Sequence, residues 1–161
     1  MANWKEQERA MELVKEAMDH QLAGELDKAI RLYKESIALH PTADAHTYLG
    51  WTYSFQGKID EAIAECEIAI QLDPEFGNPY NDIGVYLMQQ QKVDEAIPWL
   101  EKAKQASRYE PRHFPFLNLG RVYLAKGMIQ KALEEFRGAL ARNPGDAELT
   151  ELIEQLETKL Q

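Results

Sequence analysis

Residues 46–74 read HTYLGWTYSFQGKIDEAIAECEIAIQLDP. Leu49 and Gly50 precede Tyr53 by four and three residues, and Ala62, Cys66 and Ala69 repeat the same spacing, so each set lies on one face of a helix. Gly57 falls between the two sets, where a turn is required. The stretch therefore predicts a helical hairpin. Gly50, Ala62 and Ala69 are small where the two backbones approach, and Leu49, Tyr53 and Ile63 fill the space around that contact.

One hairpin leaves an apolar face uncovered, and the pattern recurs along the chain. The small residue of the first helix aligns as Ala17, Gly50, Gly84 and Gly120, at intervals of 33, 34 and 36 residues. The second helix aligns as Ala29, Ala62, Ala96 and Ala132, followed by Tyr33, Cys66, Leu100 and Phe136, then by Ser36, Ala69, Ala103 and Ala139. The turn column reads Gly24, Gly57, Gln91 and Gly127. The best copies are His46/Leu49/Gly50/Tyr53/Ala62/Ala69/Pro74 and Phe116/Leu119/Gly120/Tyr123/Ala132/Phe136/Ala139/Pro144.

This pattern resembles the tetratricopeptide repeat, a 34-residue helical hairpin that stacks into a solenoid. The resemblance implies an all-α, right-handed alpha-alpha solenoid of four hairpins, at about 10–42, 43–76, 77–112 and 113–146. Residues 147–161 follow as a C-terminal capping helix: Asp146 suits its N-cap, and Leu149, Leu152, Ile153, Leu156 and Leu160 form one apolar stripe. The third repeat departs from the pattern, because Tyr109-Glu110-Pro111-Arg112 delays the next helix by two residues, which predicts an altered packing angle between repeats three and four. Asn81 to Gly84, Arg108-Tyr109 and Asn118 to Arg121 are also locally similar to the type IV pilus pilotin group of tetratricopeptide proteins. At the other end, residues 3–9 extend the first helix into solvent, and Trp4 is expected to plug the end of the stack.

The chain has 161 residues, 45% of them hydrophobic, which suffices for one buried core. Its net charge of −9 repels phosphate backbones and argues against nucleic acid. No apolar run reaches the length of a membrane span, and the charged start predicts a cytoplasmic protein. Cys66, the only cysteine, occupies a core column, so it reads as a buried hydrophobe. His20, His40, His46 and His113 lie in different repeats without ligand-spaced partners, and His46 and His113 read as capping or surface groups. No phosphate loop or nucleophile motif is present, so neither an enzyme nor a cofactor is expected.

The family resemblance implies that the first helix of each hairpin lines a concave groove. Its first-helix positions outside the repeat signature are Met11, Val14, Lys15 and Met18; then Asp44, Tyr48, Trp51 and Phe55; then Asn81, Asp82, Val85 and Met88; and finally Phe114, Leu117, Asn118 and Arg121. Chaperone-binding members carry a Lys/Asn clamp that grips a C-terminal carboxylate. Here those positions read Val14 and Met18, Tyr48, then Asn78 and Asp82, or, one repeat on, Thr47 and Trp51, Asp82, then Phe114 and Asn118. The clamp is absent in both registers, and Asp82 repels a carboxylate, so no chaperone tail is expected. Tyr48, Trp51 and Phe55 are expected to be solvent-exposed, and Asn81 and Asn118 to bond a ligand backbone. The reading is an adaptor that binds an apolar or amphipathic segment of a protein partner. The alternatives are a self-assembling homo-oligomeric scaffold and an accessory factor in type IV pilus or envelope assembly.

Overall fold

A computed structural model describes residues 3–161. Nine helices follow one another among the described residues: α1 (Trp4–Leu22), α2 (Leu26–Leu39), α3 (Ala43–Phe55), α4 (Ile59–Leu72), α5 (Asn78–Gln89), α6 (Val93–Gln105), α7 (His113–Ala125), α8 (Ile129–Arg142) and α9 (Ala147–Lys159). Side chains cap three of them, with Asn3, Thr42 and Asp146 accepting from the backbone N–H of Lys5, Ala45 and Leu149. Pro79 sits in the first turn of α5, where its missing N–H is not needed.

Each hairpin turns in the same way. A residue in the left-handed region ends the first helix, and the following N–H reaches back to a carbonyl five residues earlier: Glu25 to His20, Lys58 to Tyr53, Lys92 to Leu87 and Met128 to Tyr123, at 2.8–3.0 Å. Glycine supplies the positive φ at 24, 57 and 127, whereas Gln91 adopts φ 62° with a side chain attached.

The core lies in the aligned columns. Ala29, Ala62, Ala96 and Ala132 are all 0% exposed, as are Tyr33, Cys66, Leu100 and Phe136. A Cβ on Gly50 would lie 2.8 Å from the Ala62 carbonyl oxygen, so the backbones of α3 and α4 meet there and a larger side chain would wedge them apart. Polar substitutions in the first repeat are satisfied locally. The Tyr33 hydroxyl donates to Gln21 Oε1 at 2.7 Å and the Ser36 hydroxyl to the Ala10 carbonyl at 2.8 Å.

The hairpins α1/α2, α3/α4, α5/α6 and α7/α8 stack in order, and α9 packs against α8. First helices also approach their counterparts in the next repeat closely, α1 with α3, α3 with α5 and α5 with α7, whereas second helices stand farther apart, α6 and α8 meeting through the Lys104–Glu135 ion pair at 2.7 Å. The layer of first helices is therefore the inner one, and it forms the concave side of an all-α solenoid. A row of polar ties crosses the joints on the turn edge: Gln56 donates to Asp27, Gln90 donates to Asp60, and Lys126 pairs with Asp94.

The two-residue insertion folds back onto the preceding joint. Arg108 N–H donates to the Glu75 carbonyl and Gly77 N–H to the Arg108 carbonyl, both at 2.9 Å, which makes a short parallel bridge between the α4–α5 and α6–α7 linkers. Arg108 also pairs with Asp73 at 2.8 Å and Asp44 at 3.2 Å, and its guanidinium lies 4.0 Å from the centre of the Phe76 ring. Tyr109 is buried over Gly77, where any Cβ would meet its ring.

At the C-terminal end Leu149, Ile153 and Leu156 are buried against α8, but Leu160 lies beyond the helix and is 47% exposed, so the stripe is shorter than expected. Trp4 is 66% exposed and does not plug the end of the stack.

Replacing Gln91 with glycine removes the left-handed strain and is expected to raise the unfolding free energy by about 0.5–1 kcal/mol in urea melts, whereas Gly57→Ala is expected to lower it by about 1 kcal/mol.

Candidate functional site

The inner layer is an open face built mainly from α1, α3, α5 and α7. Packing between first helices decides how much of each side chain remains available. Met11 is 61% and Phe55 58% exposed, while Val14, Met18, Tyr48, Trp51, Val85, Met88 and Leu117 are half-buried. Of the aromatic trio expected in solvent, only Phe55 is exposed. Trp51 packs on Phe55 with ring centres 5.2 Å apart, and Tyr48 packs 6.2 Å from Tyr33. Phe114, 41% exposed, lies beside His113 with ring centres 4.3 Å apart.

The asparagines expected to face a ligand are used within the fold. Asn81 and Asn118 are 7% and 6% exposed; Asn118 Nδ2 donates to Asn81 Oδ1 at 3.0 Å, and Arg121 donates to Asn118 Oδ1 at 3.2 Å. Direct contact between α5 and α7 brings these amides together, and a buried amide takes the partner it meets. His46 departs from its expected surface or capping role for a similar reason. It is 8% exposed, and its Nδ1 lies 2.6 Å from Glu65 Oε2, which ties α3 to α4 inside the hairpin.

Of the hollows on this face, two lie alongside Tyr48. One, of about 390 Å³, lies between α1, α2 and α3 and is lined by Gln7, Ala10, Met11, Val14, Lys15, Ser36, Thr42, Asp44 and Tyr48. Gln7 and Ala10 were outside the sequence-derived set, although Gln7 lies one helical turn before Met11 and extending the groove periodicity upstream finds it. The other, of about 360 Å³, is bordered by Tyr48, Phe76, Asn78 and residues 107–110. Ser107 and Arg108 reach it only through the linker bridge. Among the described residues no group of three His, Cys, Asp or Glu side chains is placed to hold a metal ion, and no helix is long and apolar enough to cross a membrane.

Electrostatically the face is organised around Asp82. Part of the residue's surface stays open, and partial burial pushes its pKa up to about 7 against opposing hydrogen bonding from the Asn81 side chain. Its charge acts on the Tyr48, Tyr86 and Tyr109 phenols and on the Cys66 thiol. All four are raised chiefly by burial. The Tyr86 hydroxyl is itself buried without a hydrogen-bond partner in good geometry; neighbouring Ser54 donates instead to the Trp51 carbonyl at 2.6 Å.

A folded-state pKa above the unfolded value of 3.8 means that protonated Asp82 is compatible with folding and ionised Asp82 opposes it. Its contribution is intact below about pH 4 and is lost as pH rises through about 7. Asp82→Asn is therefore expected to raise the unfolding free energy by about 2 kcal/mol at pH 8, with the difference vanishing near pH 4 in urea melts at the two pH values.

Family models described as tetratricopeptide repeat match residues 43–76, 80–108 and 116–146, more than half of the chain. An uncharacterized protein of Haemophilus influenzae is 33% identical over 115 residues, covering 70% of this chain and 61% of that protein. BBSome complex member BBS4 of Bos taurus is 25% identical over 135 residues, covering 83% of this chain and 25% of that protein. The chain thus spans about three-fifths and a quarter of the lengths of these curated relatives. Among solved structures, Pseudomonas aeruginosa PilF superimposes with a TM-score of 0.89 at 24% identity, over 96% of this chain and 70% of that one. YrrB, described as a TPR protein with an unusual peptide-binding site, gives 0.66 at 23% identity, over 87% and 72%. The similarity to pilotin-type proteins read from the sequence thus extends, in PilF, to the whole fold. Repeats, stacking and matched models agree: the chain belongs to the tetratricopeptide repeat family, whose repeats indicate a protein–protein interaction scaffold.

Proposed function

We propose that the chain is a non-catalytic adaptor that holds an apolar or amphipathic segment of a partner protein against its concave face. The hairpins at 10–42, 43–76, 77–112 and 113–146, with the cap at 147–161, act as one domain in this role. The observation that carries the reading is the apolar exposure on that face. Met11 and Phe55 stand more than half open on first helices, and Met11 borders the 390 Å³ hollow beside Tyr48. Large apolar side chains held open on one face, on a scaffold whose aligned alanine columns are wholly buried, are characteristic of contact surfaces. The peptide-binding site for which YrrB is described supports the same use of this fold.

Because Tyr48 packs on Tyr33 and Trp51 on Phe55, truncating Tyr48 or Trp51 disturbs the fold as well as the face. Met11 and Phe55 are better probes. A photo-crosslinking side chain at Met11 or Phe55 is expected to trap a partner protein, and one at the exposed Ala64 of α4 is not. Met11→Ser with Phe55→Ser is then expected to weaken binding of that partner by about 2 kcal/mol while moving the unfolding free energy by less than about 0.5 kcal/mol. Trapping from Ala64 alone would overturn the reading. Adducts only between copies of this chain, with a mass that rises with concentration in light scattering, would replace it with the self-assembling scaffold.

A further inference from the structure

We propose that two copies of this chain pair reversibly through α1, the two helices lying antiparallel across a twofold axis at Met11. This pairing goes beyond the adaptor reading and does not depend on it.

α1 has 19 residues, against 12 to 14 in each of the other helices. Ala10 aligns with Ala43, the first residue of α3, so Trp4 to Arg9 lie ahead of the repeat pattern. Trp4, Met11 and Met18 recur every seven residues along this helix and Leu22 follows by four, so all four share one face. Leu22, Trp4 and Met11 are 72%, 66% and 61% exposed, the three most open large apolar side chains among the described residues. A seven-residue apolar repeat on an open helix face is the pattern that packs against a second helix.

The charges beside the stripe select which helix that is. Glu8 and Lys15 stand on one flank of it, seven residues apart, and among the described residues neither meets an opposite charge within ion-pair distance. Arg9, by contrast, is engaged by Glu12 and Glu16 at 3.2 and 3.3 Å. A twofold contact needs a patch that complements itself. Met11 lies midway between Trp4 and Met18, so an antiparallel copy turned about Met11 sets Met11 on Met11 and Trp4 on the second copy's Met18. The same rotation brings Glu8 to within about one residue's rise of the second copy's Lys15, and Lys15 likewise to its Glu8. A parallel pair sets Glu8 on Glu8 and Lys15 on Lys15 and aligns the helix dipoles, so it is disfavoured. An unrelated partner requires no such symmetry about one residue.

A contact confined to one helix from each copy is small for a protein interface, and copies of net charge −9 repel at long range, so the pair dissociates on dilution. A second copy and a partner segment therefore compete for Met11, whereas Phe55, on α3, is left to the segment.

Sedimentation equilibrium of the full chain is expected to show a monomer on dilution and a dimer, and nothing larger, as concentration rises. Glu8→Lys and Lys15→Glu, made singly, each set like charges across the axis and are expected to weaken the dimer at least about tenfold. Glu8→Lys combined with Lys15→Glu exchanges the charges and is expected to restore it to within about threefold. Circular dichroism verifies that each variant is folded. Met11→Cys is expected to form a disulfide-linked dimer on oxidation and Phe55→Cys is not, while Cys66 is buried and takes no part. A monomer at every concentration overturns the inference and leaves the adaptor reading standing. A dimer that both single reversals spare, a folded double reversal that stays monomeric, or assemblies larger than a dimer also overturn it. So does a different protein trapped at Met11 with no adduct between copies, which assigns the stripe to another partner.

Discussion

Close contact between paired helices at their small residues is the constraint on which the remaining structure depends. Where the Gly50 backbone meets the Ala62 carbonyl, α3 and α4 lie near enough for Leu49, Tyr53 and Cys66 to close around the contact. Ala17, Gly84 and Gly120 stand in the same column, with Leu100 and Phe136 filling the space over the two glycines, so the hairpins have a common shape and stack in a regular direction. Stacking brings first helices against one another and holds second helices apart, and this difference produces the curvature. The concave face is thus a consequence of glycine and alanine placed in the right columns.

The same logic explains what was legible in the sequence. A column such as Ala29, Ala62, Ala96 and Ala132 is read directly, because each member meets the same steric demand and each is wholly buried. The turn column was equally plain, even with Gln91 standing in for glycine, because the hydrogen-bond pattern around it fixes its conformation. The polar partnerships were not legible. Asn81 with Asn118, His46 with Glu65 and Arg108 with both Asp44 and Asp73 join residues 19 to 64 positions apart. Whether two such side chains meet depends on the distance between neighbouring helices to within an ångström or two, which residue periodicity does not encode. The insertion at 109–112 is a related case. Its position is evident from the delayed helix, but the bridge that Arg108, just before it, makes to the Glu75–Gly77 backbone depends on where two linkers come together.

The concave face combines two opposing demands. Asn81, Asn118 and Arg121 join neighbouring first helices and stiffen the face. Asp82 works against stability when ionised, because partial burial raises its pKa to about 7. The aligned columns are closely packed, and this one unfavourable group stands outside them on the inner side of the stack.

The linker bridge has a further effect on cooperativity. In a simple stack each unit is coupled only to its neighbours, and the array can come apart from either end one unit at a time. Arg108, by reaching Asp44 in α3 as well as the Glu75–Gly77 segment, ties the third hairpin to both ends of the second beyond the packing of their helices. The second and third hairpins therefore carry a coupling beyond the packing of neighbouring helices, and they open together rather than one at a time.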